Sequence, residues 1–328
     1  MAWTISFHSG GVYLGLLWFG SHTESLKKAL HMALNKEVFK TRTQTAVLYV
    51  VVMLTGLLWN TWSFFILFSI VHFGCWHEYL KLTGKVDNRF DTGHWFHRFY
   101  YPLLGFLMML AASSGSLMIA GIDLSEWGIV GFRWLILLIF LQFFLVKSST
   151  TWHYARLITG LLYISVPFAL FINLRSGWIW GFEPGMSGIF NSLSAFDGKL
   201  VSLVLVASIW INDTMAYIVG SFIGKTPLSK WSPKKTWEGT LGGIVLSIAL
   251  ISLSGWFYGA KGFEWMFVTS VAAIAGTFGD LLESRLKRMA GVKDSGSFMP
   301  GHGGFLDRFD SIILAVPAVW LVCYLLYR

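Results

Sequence analysis

The sequence predicts an all-α, polytopic integral membrane protein of about nine transmembrane helices, and three observations predict it. Only 13% of the 328 residues are charged and 55% are hydrophobic, against roughly 25% charged in an average soluble domain. So few charges cannot clothe soluble domains of this size. The apolar residues also come in long runs: Val201 to Ile211 and Leu241 to Ala260 hold no charge. Uncharged apolar runs of about 18 residues or more read as membrane spans. Lys and Arg, finally, cluster between the runs, as the positive-inside rule requires. That distribution accounts for the net charge of +8 without nucleic acid as a partner.

The elements follow in chain order. Residues 1–43 read as a cytoplasmic or interfacial tail. Its stretch Val12 to Phe19 is apolar but short, and no charged n-region or small-residue cleavage site frames it, so no signal peptide is expected. Spans are expected at about 44–60, 62–80, 99–120, 131–147 and 157–173, making an N-terminal and middle region to residue 198. Four more, at 199–222, 239–259, 264–283 and 311–327, make a C-terminal catalytic region, 199–328. The first pair comes from dividing Ala46 to Leu80. As one helix those 35 residues would run roughly 52 Å, well beyond a ~30 Å hydrocarbon core, so a tight turn is placed near Asn60.

Charge tests the count. With the N-terminus cytoplasmic, nine spans leave 20 of the 25 Lys and Arg inside and 5 outside, whereas one helix over Ala46 to Leu80 gives 15 against 10. The rule favours nine, with the polar C-terminal loops facing the cytoplasm from the inner membrane. Trp59, Trp62, Trp127 and Trp178 sit near span ends, as interfacial belts do. The segment Leu174 to Gly198 is the longest external piece. Cys75 and Cys323 fall inside spans, which leaves no disulfide framework and no CxxC pair.

Polar residues concentrate in two stretches, Asn212 to Glu238 and Gly279 to Asp310. Asp213 lies ~13 Å from the inner end of its span and Asp280 ~12 Å, at 1.5 Å per residue. Carboxylates at that depth face a wet cavity, a cation or a basic partner, or form a plain helix–helix hydrogen-bonded pair. Asp307 and Asp310 are three apart at the start of the last helix, which predicts one shared face near the positive end of the helix dipole. With Lys293 and Asp294 upstream and Gly303 and Gly304 beside them, they form a pattern suited to Mg²⁺ and phosphate. Taken alone, such Asp pairs are also common caps. Ser232 to Gly239 reads as a helix start, with Ser232 as N-cap and Pro233 in the first turn. Lys234 and Lys235 there would suit a triphosphate, or serve equally as a positive-inside anchor. Asp91, His94, His97 and the pair His77-Glu78 are assigned to structure.

These motifs carry a resemblance. Ser284-Arg285-Leu286-Lys287-Arg288, Lys293-Asp294, His302-Gly303-Gly304 and Asp307-Arg308-Phe309-Asp310 match in spacing the signature of the phosphatidate cytidylyltransferases, with Met299 as a mild apolar departure. Asp213 to Tyr217 and Ser232 to Gly239 resemble a second block of that family, and Trp76 to Tyr79 faintly echoes a third. The resemblance implies a helical membrane enzyme, usually dimeric, that moves CMP from CTP to phosphatidic acid. It implies Mg²⁺ with a monovalent cation, K⁺, beside it. By motif position Asp280, Asp307 and Asp310, with Asp213 nearby, would hold the cations. Lys293, Asp294, His302 and Asp310 would serve catalysis. Ser232, Lys234, Lys235, Thr236, Glu238, Arg288, Gly303 and Gly304 would bind the nucleotide. Two other readings stand beside this one: the same transfer onto a different lipid phosphate, and an ion-coupled transporter using Asp213 and Asp280.

Overall fold

The computed structural model describes residues 36–87, 95–145, 151–177, 198–258, 262–298 and 303–327. The expectations placed on Val12 to Phe19, on Asp91, His94 and His302, and on most of the segment Leu174 to Gly198 lie outside the described residues, as do those on the side chain of His97. The chain divides into two units, Met1–Tyr49 and Val50–Arg328. Of the first, only residues of helix α1 (Lys36–Leu58) are described, and the site lies wholly in the second.

A break separates α1 from α2 (Thr61–Val86) where the length argument requires one. Asn60 takes an extended conformation, accepts from Ser63 N–H at 2.8 Å and donates its own N–H to Ser63 Oγ at 3.1 Å. This capping box occupies donors that a new helix would otherwise leave free. Helix α3 (Trp95–Ala111) stops short of the expected end at 120. The hydroxyls of Ser113 and Ser116 donate to Leu110 O and Ser113 O, and Ser114 and Gly115 adopt positive φ. Short hydroxyl side chains compete in this way with the helical ladder. A two-stranded hairpin, β1 (Met118–Ile119) and β2 (Ile122–Asp123), leads into α4 (Leu124–Leu145).

Helix α5 (Thr151–Gly160) passes through a π-helical turn, Leu161–Ser165, into α6 (Val166–Ser176). Four long helices finish the chain: α7 (Gly198–Ile223), α8 (Trp237–Phe257), α9 (Gly262–Met289) and α10 (Leu306–Tyr327).

Among the described residues six stretches are long and apolar enough to span a bilayer: Leu124–Leu141, Tyr154–Ser176, Gly198–Ile223, Trp237–Phe257, Gly262–Met289 and Leu306–Leu325. Two shorter apolar helices, Thr43–Leu58 and Phe99–Ala111, fall in two further expected spans. The remaining one, 62–80, lies inside α2, a 26-residue helix that carries His72, His77 and Glu78 along that stretch. The protein is an all-α, polytopic integral membrane protein.

Two packing features position the site. Phe64 and Phe68 of α2 meet Phe171 of α6 at ring-centroid distances of 5.0 and 4.7 Å, and Phe68 lies 6.1 Å from Phe309 of α10. Trp76 Nε1–H donates to Ser165 Oγ on the π turn at 2.9 Å, and His72 Nε2 lies 3.0 Å from the same oxygen. These contacts fix α2 against the C-terminal helices. Helices α7 and α8, in turn, cross with backbones nearly touching. A Cβ at Gly239 would meet Ala216 O at 2.7 Å and Gly220 Cα at 2.8 Å, and one at Gly243 would meet Ala216 Cβ and Asn212 O, each at 2.7 Å. Small residues four apart on both helices permit this approach, as is common where helices associate in membranes.

Candidate active site

The segment between α7 and α8 folds as a clamped loop. Leu228 N–H donates to Lys235 O at 2.7 Å and Trp237 N–H to Thr226 O at 2.9 Å, while Pro227 and Thr236 form an antiparallel bridge. Glu238 closes it from the first turn of α8, accepting from Lys225 N–H at 3.1 Å and from Thr226 N–H at 3.1 and 3.2 Å. Inside the clamp, Lys235 N–H donates to Ser232 O at 3.2 Å, so Pro233 and Lys234 are the corner of a turn. The expected helix start at Ser232 is therefore corrected: Thr236 is the N-cap, accepting from Gly239 N–H at 3.2 Å, and α8 begins at Trp237. Proline presets the φ of a turn's second residue as well as that of a first helical turn.

That turn points Lys235 at a half-buried acid. Lys235 Nζ lies 2.5 Å from Asp280 Oδ2. Burial works against the ammonium's charge, but Asp280, Asp213 and Asp310 outweigh it and hold Lys235 above the ordinary lysine value. Asp310, 7% exposed on α10, accepts from Ser311 N–H at 2.6 Å, and its charge and that of Asp280 act on one another. Beside this group lies a cavity of about 460 Å³, lined by Asp213, Tyr217 and Ser221 of α7, Lys234 and Lys235 of the loop, and Thr277 of α9, among others.

Among the described residues no three His, Cys, Asp or Glu side chains are arranged as a ready metal cage. The donor set still fits a hard cation. Asp280, Asp310 and exposed Asp213 are three carboxylates within electrostatic reach of Lys235, with Arg308 also acting on Asp213, and like charges brought together call for compensation. Their ligands are all oxygen, the kind Mg²⁺ takes.

Asp307 faces elsewhere. Its Oδ1 lies 2.6 Å from Lys287 Nζ, and its Oδ2 accepts from Ser295 N–H at 2.9 Å and Gly304 N–H at 2.8 Å. Lys287 is shared with Glu283, fully buried and 2.5 Å away. A third carboxylate joins this network from far back in the sequence. Glu78 Oε1 accepts from Phe305 N–H at 2.9 Å, and Oε2 from Leu306 N–H at 2.8 Å and Ser295 Oγ–H at 2.6 Å. The two N–H donors lie at the start of α10, where N–H groups lack helical partners. Gly303 has φ +85°, and a Cβ at Gly304 would collide with the Glu78 carboxylate. The glycine N–H expected to meet a ligand oxyanion is met here by the protein's own.

With that geometry in view, comparison with known proteins decides the family. The profile of the Cytidylyltransferase family matches residues 40–326. The chain belongs to this family. Three similar proteins bear the name phosphatidate cytidylyltransferase. The one from Synechocystis sp. is 43% identical over 136 residues, covering 39% of this chain and 45% of that protein. Phosphatidate cytidylyltransferase 4, chloroplastic, from Arabidopsis thaliana, is 46% identical over 123 residues, 35% of this chain and 30% of that protein. The one from Helicobacter pylori is 40% identical over 145 residues, 42% of this chain and 51% of that protein. The matched stretches thus span about a third to a half of these relatives' length.

Within this cytidylyltransferase-family chain, the structure brings Asp213, Lys234, Lys235, Thr236, Asp280 and Asp310 together and sets Asp307, Gly303 and Gly304 in the neighbouring network. Ser232 and Glu238 shape the loop rather than facing its cavity. Lys293 and Asp294 are exposed, and exposed Arg288 donates to Val292 O at 3.3 Å just after α9. The sequence reading did not single out Glu78 as a holder of the Gly303–Leu306 entry, nor Glu283 and Ser295. The available signal was a carboxylate on an otherwise apolar stretch of helix, which costs too much to stand without a partner.

Proposed function

We propose that the protein transfers CMP from CTP to phosphatidic acid, releasing pyrophosphate and leaving CDP-diacylglycerol. One observation carries this reading: a cavity lined by Lys234, Lys235 and Asp213, next to the ion pair of Lys235 with Asp280. The names of the relatives support it. A phosphate-monoester oxygen of the lipid attacks the α-phosphorus of CTP, and the bond from that phosphorus to the bridging oxygen breaks in line. Both reactants are anions, so the protein's main task is alignment and cancellation of charge. Lys234 and Lys235, which line the cavity, grip the triphosphate, and the loop clamp at Glu238 keeps Lys235 against Asp280. Asp280 and Asp310, with Asp213 beside them, would hold Mg²⁺, with K⁺ as a second cation, and that charge would offset repulsion and polarise the phosphoryl oxygens. The attacking phosphate is already ionised, so no strong base is needed.

The test is purified protein with Mg²⁺, labelled CTP and a panel of lipid phosphates, the product being identified by mass. CDP-diacylglycerol from phosphatidic acid is the expected product. A different CMP-lipid would change the substrate, and no pyrophosphate from any lipid phosphate would end the transferase reading.

We further place the 225–236 loop and the turn after α9 in the cytoplasm and treat a homodimer as the working assembly. A cysteine at exposed Ser297 is expected to resist an impermeant thiol reagent in intact cells, whereas one at Ala120, in the β1–β2 turn, is labelled. The reverse pattern would invert the orientation.

A further inference from the structure

The loop between α7 and α8 is tied at its tip as well as at its root. Two cations lie over the indole of half-buried Trp231: Lys230 Nζ is 4.7 Å and Arg285 Cζ 5.8 Å from the ring centroid. Both fall within the ~6 Å at which a ring face attracts a cation. Lys230 is merely the preceding residue, but Arg285 comes from α9, a helix that the loop does not connect. The backbone of the tip directs the indole there. Ser229 Oγ accepts from Trp231 N–H at 3.3 Å and from Ser232 N–H at 3.2 Å, and Ser232 O accepts in turn from Lys235 N–H at 3.2 Å. Trp231 thus adjoins the turn that ends in Lys235, and a displacement of one carries the other with it. On α9, Arg285 lies five residues beyond Asp280, ~7.5 Å along the axis at 1.5 Å per residue. The loop therefore meets α9 twice, through Lys235 on Asp280 and through Trp231 on Arg285.

We propose that Trp231, resting on Arg285, is a positioning residue that keeps the lysine loop on α9 while Lys235 exchanges Asp280 for the triphosphate. The kinetic half of the inference rests on the transferase reading above. In that reading Lys235 turns its ammonium to the nucleotide, and its contact with Asp280 loosens. Trp231 and Arg285 lie outside the lining of the Asp213–Lys235 cavity, so nothing in that exchange disturbs them. Arginine suits such a tie, because its guanidinium is planar, weakly hydrated and stacks on aromatic faces. A tryptophan at the membrane surface also serves as an interfacial anchor, but that use does not require Arg285.

Two measurements separate a tie from an anchor, and the first needs no turnover. In the purified protein, amide exchange at residues 228–235 is expected to quicken about fivefold in Trp231→Ala and in Arg285→Met, the worth of one such contact. The double variant should exchange no faster than Trp231→Ala alone, because the two residues share one interaction. Trp231→Phe keeps an aromatic face and should recover part of the protection. Unchanged loop exchange in Arg285→Met, or effects that add in the double variant, overturns the tie and leaves an anchor. The second measurement is kinetic. Trp231→Ala and Arg285→Met are each expected to raise the KM for CTP about fivefold with kcat within about twofold, and Trp231→Phe to restore part of it. Coupled exchange with an unchanged KM for CTP overturns the positioning role. A parent protein that moves no CMP yet shows the coupled exchange keeps the tie and ends the transferase reading instead.

Discussion

Asp310→Asn is expected to lower kcat by ~10²–10³-fold, the usual loss when one key charge-stabilising group is removed, with the KM for CTP within about twofold. Asn keeps the shape, so Ser311 N–H retains an acceptor, while one of the apposed charges disappears. The loss falls on kcat because the cation acts on charge that develops in the transition state. Asp280→Asn should behave alike, and excess Mg²⁺ should recover part of the activity in both. Lys234→Ala gives the contrast: the triphosphate is gripped before and during reaction, so its KM for CTP should rise while kcat holds. Asp307→Asn is the discriminating control, since Lys287, Ser295 and Gly304 occupy its carboxylate. Its activity loss should not respond to Mg²⁺. Kinetics at several Mg²⁺ concentrations decide the matter: near-parental kcat in Asp310→Asn sinks the assignment, and a Mg²⁺-dependent Asp307→Asn returns that residue to the cation site.

Glu78→Gln is expected to loosen the entry to α10, and Glu78→Ala to loosen it further. Both carboxylate oxygens face donors, Phe305 N–H on one side, Leu306 N–H and Ser295 Oγ–H on the other. Whichever way a glutamine amide turns, its NH₂ opposes an N–H. Each buried donor left unmet costs about 1–3 kcal/mol, so the alanine variant forfeits several times that. Amide exchange should accelerate at residues 304–307 while the α2–α6 aromatic core stays protected, and activity should fall without a change in Mg²⁺ dependence. Unchanged exchange at 304–307 would mean that the entry holds its shape without Glu78.

Much of this site was legible because its signals are local. Apolar runs and charge clusters located the helices, the length of Ala46 to Leu80 demanded the Asn60 break, and acids at matched depth on two helices called for a cavity, a cation or a basic partner, of which Asp280 has the last in Lys235. What failed to show was the division of labour between Asp307 and Asp310. Helical spacing puts residues three apart on one face, but a carboxylate in the first turn can reach back to unpaired N–H groups, and Asp307 does. Nor does Ser232-Pro233 distinguish a turn from a helix start; the contact that decides it, Glu238 with Lys225 and Thr226, spans the loop. Glu78 meets Ser295 across 217 positions, and no local pattern announces such a contact.

The crossing of α7 and α8 has a consequence for genetics. An alanine at Gly239 or Gly243 touches no substrate, yet it must push apart the two helices that carry Asp213 and hold the base of the lysine loop, against backbone atoms of α7 and the short side chains of Ala216 and Thr236. A screen for inactive alleles would therefore recover these glycines beside the aspartates, and an investigator ranking positions by severity would mistake spacers for reagents. Separating them takes a suppressor: a compensating loss of bulk at Ala216, to glycine, should restore Gly243→Ala in part and do nothing for Asp310→Asn.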